Sequence, residues 1–240
     1  MKFTDGNWML QPGVSAHYPA EAYELAREAD SLVIHAPTRL IRQRGDTLQG
    51  PLLTVRLSSP LTDVIRVRLE HFSGGQALGP HIPLMPLEPP AVTITQDAGK
   101  AVLRSGELAA RVGCVNGWEL TFTAGERVLT RSGARAAGYI QWPERGNFMH
   151  EQLALGVGEF VYGFGERFTA FVKNGQVVEN WNKDGGAGSD QAYKAVPFYL
   201  TNRGYGVLVN ETGPVSFEVA SENVSRVQFS VPGESLEYFV

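Results

Sequence analysis

Short apolar runs, separated at close intervals by glycine and proline, constrain this sequence more than any other feature. Residues 63–72 read DVIRVRLEHF, in which Ile65, Val67 and Leu69 alternate with charged residues. A period of two indicates a β-strand with one face on a core and the other in water. The 27 glycines and 14 prolines fall between such runs, and the helices that parallel strands need for their crossovers are missing. The pattern therefore predicts antiparallel strands joined by turns.

Eleven further segments have the composition of strands. They are residues 31–36, 52–58, 92–96, 101–104, 108–112, 119–123, 192–201, 205–210, 215–220, 226–231 and 235–240. Residues 124–126 (AGE) and 202–204 (NRG) are typical of hairpin turns, because glycine accepts positive φ. Many short strands at this spacing predict an all-β sandwich or barrel with few or no helices.

Residues 20–30 (AEAYELAREAD) conflict with this pattern. Their local propensity favours a helix. An all-β environment can override propensity, and a tight turn fits residues 28–31. We predict a strand followed by that turn.

Composition and charge exclude several classes of function. The net charge is −4 without a run of like charge, so no nucleic acid partner is expected. Neither a leader peptide nor a membrane span is expected, because the N-terminus (MKFTDGNWMLQPG) and the rest of the chain lack long apolar runs. Cys114 is the single cysteine, which weakly favours a reducing compartment, and we predict a cytoplasmic protein.

No motif for a cofactor, a metal or a nucleophile emerges from the sequence. The glycines of GFGE at residues 163–166 lack the third glycine and the helix of a dinucleotide site, and they suit a close backbone approach instead. Residues 184–190 lack the ligand spacing of a calcium loop. The five histidines, at positions 17, 35, 71, 81 and 150, have no partner at metal-ligand spacing. We predict no metal, no cofactor and no catalytic residue in this chain.

The segment WNKDGG, which begins at residue 181, has the chemistry of a sugar-binding loop and also that of an ordinary exposed turn. An indole offers a flat face to sugar C–H groups, and an amide, an ammonium and a carboxylate offer directional hydrogen bonds to hydroxyls. Few apolar side chains can hold residues 182–191, so we expect this loop to be mobile. The candidate binding residues are Trp181, Asn182, Lys183, Asp184 and Gly185.

Two long stretches, VGEFVYGFGERFTAFVKNGQVVENWNKDGG and QAYKAVPFYLTNRGYGVLVN, resemble bacterial α-xylosidases of glycoside hydrolase family 31. The similarity runs along the whole chain and includes DGNWMLQPG, GPHIPL and VSRVQFSV. The resemblance implies a galactose mutarotase-like β-sandwich that occupies residues 1–240 as a single N-terminal domain. A catalytic (β/α)₈ barrel is then expected beyond residue 240, in keeping with LEYFV, which reads as a strand in progress.

The resemblance also implies an activity and places its catalytic residues in the barrel. The parent enzyme would hydrolyse terminal α-xylosyl glycosides, such as isoprimeverose, with retention, using two aspartates of the barrel. This chain alone would then be inactive. Members of the family can be hexamers, so a homo-oligomer is expected, and the domain would pack on its own barrel.

The same resemblance assigns roles to individual residues. A loop of the N-terminal domain overhangs the active site in this family and contributes to the leaving-group (+1) subsite. Asp184 is the first candidate there, because its carboxylate can accept hydrogen bonds from aglycone hydroxyls. Lys183 is a weaker candidate, since the family also accepts arginine, and Trp181 is expected to support the loop by packing. Glu166 and Arg167 are predicted to face the barrel.

Three other functions stay open at this stage. An aldose 1-epimerase would need a histidine and a carboxylate, which here means His150 with Glu151 or Glu166. A carbohydrate-binding module would use Trp181 and an exposed row of aromatic residues. A structural domain would shape and oligomerise the enzyme, and it would expose an apolar docking surface.

Overall fold

The computed structural model describes residues 1–6, 8–75, 88–97, 99–113 and 117–240. Cys114, His81 and the motif GPHIPL lie outside the described residues. The strands, in chain order, are β1 (Thr4–Asp5), β2 (Met9–Leu10), β3 (Ser15–His17), β4 (Glu24–Glu28), β5 (Ser31–Pro37), β6 (Leu52–Leu61), β7 (Val64–Glu70), β8 (Val92–Gln96), β9 (Lys100–Ser105), β10 (Leu108–Gly113), β11 (Glu119–Ala124), β12 (Arg127–Ser132), β13 (Gly138–Trp142), β14 (Gly146–Ala154), β15 (Val161–Gly165), β16 (Gln176–Asn180), β17 (Ala195–Thr201), β18 (Gly206–Val209), β19 (Val215–Val219), β20 (Arg226–Pro232) and β21 (Ser235–Phe239).

The strands form three large sheets and one small hairpin. The eight-stranded sheet has the order β15-β17-β18-β21-β7-β6-β5-β4, and the six-stranded sheet has the order β16-β19-β20-β14-β13-β3. The five-stranded sheet is the meander β12-β11-β10-β9-β8, and β1 pairs with β2. All pairings between these strands are antiparallel, as predicted. Within the described residues the only helical element is a 3₁₀ helix, Arg44–Leu48, and no helix there is long and apolar enough to cross a membrane.

The core lies between the inner faces of the sheets. Tyr199 and Phe164 of the eight-stranded sheet contact Phe217 of the six-stranded sheet, and Phe229 contacts Tyr238 edge to face. All five of these side chains are fully buried, and residues of the five-stranded sheet join the same apolar cluster. Large aromatic side chains contribute strongly to such a core because each buries a wide apolar area. The prediction of an all-β sandwich is confirmed.

The alternation in residues 63–72 has the predicted consequence. Ile65, Val67 and Leu69 of β7 are at most 1% exposed, whereas the residues between them are partly exposed. The segment at residues 20–30 forms β4 and a turn, in which Ala29 has φ 48°. Its pairing with β5 supplies backbone hydrogen bonds that an isolated helix would otherwise provide. Tertiary pairing therefore overrides the local helix propensity.

The N-terminal segment covers the outer face of the six-stranded sheet. The Phe3 ring contacts the imidazole of His150 edge to face, and Tyr18 covers the same imidazole from another side. The backbone N–H groups of Phe3 and Thr4 donate to one carboxylate oxygen of Glu222, at 3.1 and 2.8 Å. The outer face of this sheet is therefore closed to solvent around β14.

Candidate functional site

The end of β15 is bent by a glycine-rich bulge. Gly163, Phe164 and Gly165 have φ values of 113°, 67° and 87°, and the register of β15 against β17 shifts at this point. A Cβ on Gly165 would lie 2.0 Å from the carbonyl oxygen of Lys194. The glycines therefore allow two backbones to meet, as the sequence predicted.

Arg167 joins three segments beneath the WNKDGG loop. Its Nε donates to the carbonyl oxygen of Phe164 at 3.0 Å, its Nη1 to that of Asp190 at 3.1 Å, and its Nη2 to that of Glu179 at 3.0 Å. Burial lowers the pKa of Arg167, and the nearby carboxylates of Asp190 and Glu179 partly oppose that shift. The guanidinium thus acts as a clamp inside this domain. Its predicted role at a domain interface stays a prediction.

The loop has a fixed stem and a projecting tip. The side-chain oxygen of Asn182 accepts a hydrogen bond from the backbone N–H of Ala195 at 2.8 Å, and the N–H of Lys183 donates to the carbonyl of Ala192 at 2.9 Å. At the tip, Asp184 accepts from the N–H of Gly186 at 3.3 Å, a long contact. Residues 182–188 are all exposed. The tip therefore holds its side chains away from the body of the domain.

A cleft of about 320 Å³ lies beside the stem. Its walls include Trp181, Lys183 and Arg167, together with Thr169 and Gln191. The indole of Trp181 is 46% exposed, so one part of it supports the loop while the rest faces solvent. An exposed indole beside an ammonium and an amide can offer apolar contact and hydrogen bonds to a sugar ring.

The structure divides the predicted residues into three groups. Trp181, Lys183 and Arg167 meet at the cleft, whereas Asn182 belongs to the stem. Asp184 and Gly185 lie at the exposed tip, outside the cleft walls.

Glu166 lies outside the cleft and pairs with an exposed lysine. Its carboxylate is 2.8 Å from Nζ of Lys194, and both side chains are about two-thirds exposed, at 66% and 65%. A pair this exposed adds little to stability. Its predicted role toward the barrel stays a prediction.

Sequence reasoning missed Thr169, Val177 and Gln191 as parts of the cleft. One signal was available, because Val177, Glu179 and Trp181 alternate along β16 and its extension, which places them on one face. Thr169 and Gln191 gave no such signal. They reach the cleft only because the bulge and the loop fold back onto β16.

The residues of the epimerase hypothesis do not form a site. His150 and Glu151 are neighbours on β14, so they point to opposite faces, and each is 1% exposed. Burial lowers the pKa of His150 to about 4 and raises that of Glu151 to about 7. Glu166 lies on the surface at the end of β15. A sugar cannot reach a histidine and a carboxylate together in this arrangement.

No metal centre is present among the residues described, since no three or more histidine, cysteine, aspartate or glutamate side chains cluster there. The polar wall residues of the cleft are Lys183, Arg167, Gln191 and Thr169, together with the carboxylates of Glu179 and Asp190. Such a mixture of hydrogen-bond donors and acceptors suits the hydroxyl groups of a sugar.

A family model described as the glycosyl hydrolase 31 N-terminal galactose mutarotase-like domain matches residues 54–218, which is more than half of the chain. The chain belongs to this family. The matched range includes the bulge, the Arg167 clamp, the cleft and the loop, so these features lie within the family domain. The family resemblance read from the sequence is confirmed.

Two curated relatives match the whole length of the chain. Alpha-xylosidase XylQ from Lactiplantibacillus pentosus is 44% identical over 242 residues, a match that covers 100% of this chain and 31% of the relative. An alpha-xylosidase from Emericella nidulans is 39% identical over 261 residues and is covered to 33%. The chain therefore spans about a third of the length of these relatives.

Solved structures share the fold at lower identity. The cycloalternan-forming enzyme from Listeria monocytogenes superposes with a TM-score of 0.75 at 18% identity, over 94% of this chain and 21% of that one. A GH31 alpha-xylosidase from a soil metagenome, complexed with xylose, superposes with a TM-score of 0.66 at 16% identity, over 90% of this chain and 32% of that one. In both, the matched domain is a minor part of a longer chain.

Proposed function

We propose that this chain is the non-catalytic N-terminal domain of a retaining α-xylosidase and that its loop at residues 181–190 contributes to the leaving-group subsite. The observation that carries the proposal is the loop itself, which has a stem fixed by Asn182 and Arg167 and a tip that presents Asp184 to solvent. A tip held in this way can reach over a neighbouring domain, and the full-length similarity to two alpha-xylosidases supports the choice of substrate.

An apolar surface beside the loop supports docking to a further domain. Val196 and Leu200 on the outer face of β17 are 41% and 50% exposed, and Phe171 and Phe168 in the segment after the bulge are 78% and 54% exposed. The Phe171 ring packs on Tyr162 of β15, with ring centroids 5.1 Å apart, so the patch continues onto the sheet. Large apolar patches of this kind usually mark interfaces. We assign this surface to the catalytic barrel expected after residue 240.

The activity belongs, on this proposal, to the longer protein. The intact protein should release xylose from isoprimeverose, and the 240-residue chain alone should release none because the two catalytic carboxylates are supplied by the barrel. Xylose release measured on both forms at equal molar concentration tests this. Release by the chain alone would contradict the division of labour, and release of glucose in preference to xylose from matched disaccharides would contradict the substrate.

The proposal also includes the oligomeric state and the cellular compartment of the protein. We place the protein in the cytoplasm and propose that it forms a homo-oligomer, six copies by family resemblance. Light scattering on the intact protein measures the assembly, and a monomeric mass would contradict it.

A further inference from the structure

A second cleft, of about 580 Å³, lies where the β1–β2 hairpin, the segment after β3 and the N-terminal end of β20 meet. Its walls include Trp8, Leu10 and Tyr18, and two arginines, Arg135 and Arg226, flank it. It shares no wall residue with the cleft beside the WNKDGG loop. We call it the arginine cleft. Its volume suits one or two sugar rings.

Buried amides hold Arg226 in place. Its Nη1 donates to Oε1 of Gln152 at 2.6 Å, and Nε2 of Gln152 donates to Oε1 of Gln228 at 2.6 Å. Both glutamines are buried, at 8% and 3% exposure. In the described part of the chain no carboxylate pairs with Arg226. A guanidinium has five N–H donors, so an oriented Arg226 keeps donors for an oxyanion in the cleft.

The carboxylate of Glu222 on the neighbouring loop is already engaged. Its Oε1 accepts from the N–H groups of Phe3 and Thr4, and its Oε2 accepts from Nε2 of Gln228 at 2.6 Å. Among the ion pairs of the described residues, none joins Glu222 to either arginine of the cleft. In the described part of the chain, both guanidinium groups therefore lack a carboxylate partner within ion-pair distance.

Arg135 occupies a backbone position that normally takes glycine. It is the third residue of the turn at residues 133–136, which is closed by a hydrogen bond from the N–H of Ala136 to the carbonyl of Gly133 at 3.1 Å. Its φ is 60°, in the left-handed region. A residue other than glycine costs on the order of 1–2 kcal/mol there. Across the residues described, Arg135 has neither an ion pair nor a hydrogen bond that would offset this cost.

Aromatic and apolar side chains complete the cleft. The indole of Trp8 is 80% exposed, and Leu10 lies two residues further, on the same face of the hairpin. Thr4 pairs with Leu10 and lies on that face too. Tyr18 forms a partly buried part of the floor. Flat aromatic faces suit the C–H faces of sugar rings, and the two guanidinium groups suit a negative charge on the same molecule.

We propose that the arginine cleft is a second saccharide site, specific for a sugar that carries an oxyanion, either a carboxylate or a phosphate. Arg226 and Arg135 bind the oxyanion, and Trp8 packs on the sugar ring. The site is independent of the leaving-group subsite, so it does not depend on the function proposed above.

Calorimetry on the intact protein tests the proposal with four probes: glucuronate, glucose 6-phosphate, glucose and inorganic phosphate. At least one of the two anionic sugars should bind, and the tighter of them identifies the oxyanion. Arg226→Gln and Arg135→Gly should each weaken that binding at least tenfold. Arg135→Gly should also unfold at an equal or higher temperature, because glycine relieves the backbone strain. Arg111→Gln removes the same charge from an exposed position on β10 and should leave binding unchanged.

Four results would overturn the proposal. The first is the absence of binding by either anionic sugar. The second is equal binding of glucose, which would show that the negative charge of the sugar does not contribute to binding. The third is equal binding of inorganic phosphate, which would leave a general anion patch with no saccharide site. The fourth is an equal loss of binding in Asp184→Asn, which would place the sugar at the other loop.

Discussion

Two adjacent buried side chains on β14 carry opposite pH dependences. Glu151 accepts hydrogen bonds from the hydroxyl of Tyr238 at 3.1 Å and from the N–H of Gln152 at 2.9 Å, inside the core. Burial raises its pKa from 4.5 to about 7. Burial lowers the pKa of His150, on the opposite face, from 6.5 to about 4, and a contact with Gln228 partly opposes that shift.

The direction in which pH changes the stability depends on whether the folded or the unfolded state binds the proton more tightly. The folded state keeps Glu151 protonated, so stability falls as the pH rises from 4.5 to 7, by up to about 3 kcal/mol. The folded state keeps His150 neutral, so stability falls as the pH drops from 6.5 toward 4. Between pH 4.5 and 6.5 the two residues change the free energy of unfolding in opposite directions. Together they should therefore leave the stability nearly independent of pH in this range.

Glu151→Gln should therefore be more stable than the natural chain at pH 8, because it removes the cost of a buried carboxylate while keeping the side-chain shape. The variant should also expose the His150 slope, so that its stability falls steadily from pH 6.5 to pH 4.5. Urea unfolding at several pH values measures both effects, with Glu144→Gln, an exposed change, as the control. Lower stability of Glu151→Gln at pH 8 would refute the assignment.

At the scale of elements, the bulge of β15 positions the cleft. Gly165→Ala adds a methyl group only 2.0 Å from the carbonyl oxygen of Lys194, at a φ of 87°. Gly175→Ala is the matched control, because φ is 85° there and nothing lies within 4 Å of the added atom. The free energy of unfolding should fall by about 1–2 kcal/mol in the control, from backbone strain alone, and by about 3 kcal/mol or more in Gly165→Ala. Thermal unfolding compares them, and equal losses would show that the close approach is unimportant.

Some elements could be predicted from the sequence, and others could not. One face of strand β7 is partly exposed, so apolar and charged residues alternate in its sequence and the strand could be predicted. The strand β14 (GNFMHEQLA) was missed because both of its faces are buried, one by the core and one by the N-terminal segment, and because it carries Met, His, Glu and Gln. A strand covered on both sides shows no period of two. The strands β1, β2, β3, β12, β13, β15 and β16 were missed as well.

The candidate site was predicted in part for a similar reason. The composition of WNKDGG identified the loop, since an aromatic ring, polar groups and glycines stand together in the sequence. The clamp by Arg167 could not be predicted, because its three acceptor carbonyls, at residues 164, 179 and 190, meet only after folding. The positive φ of Arg135 was hidden too, since nothing in GARA requires arginine to take a glycine-like conformation.

At the scale of the whole molecule, the exposed features fall into two groups, and the two clefts share no wall residue. The loop, its cleft and the apolar surface around Phe171 and Leu200 lie on β15, β16, β17 and their connections. The arginine cleft lies with the N-terminal hairpin over the six-stranded sheet. A domain docked on the first group would complete a subsite there. The two proposed sites can therefore be tested separately in one protein.

The central claim is that Asp184 binds the leaving-group sugar, and Asp184→Asn in the intact protein tests it most directly. Hydrogen bonds from hydroxyls to a carboxylate contribute about 1.5–3 kcal/mol, so kcat/KM for isoprimeverose should fall about 10- to 150-fold. An aryl α-xyloside, whose leaving group carries no sugar hydroxyls, should be hydrolysed at an unchanged rate, as should both substrates by Asp30→Asn, an exposed change in the β4–β5 turn. A loss confined to the disaccharide supports the account. An equal loss on both substrates, or none on either, would contradict it.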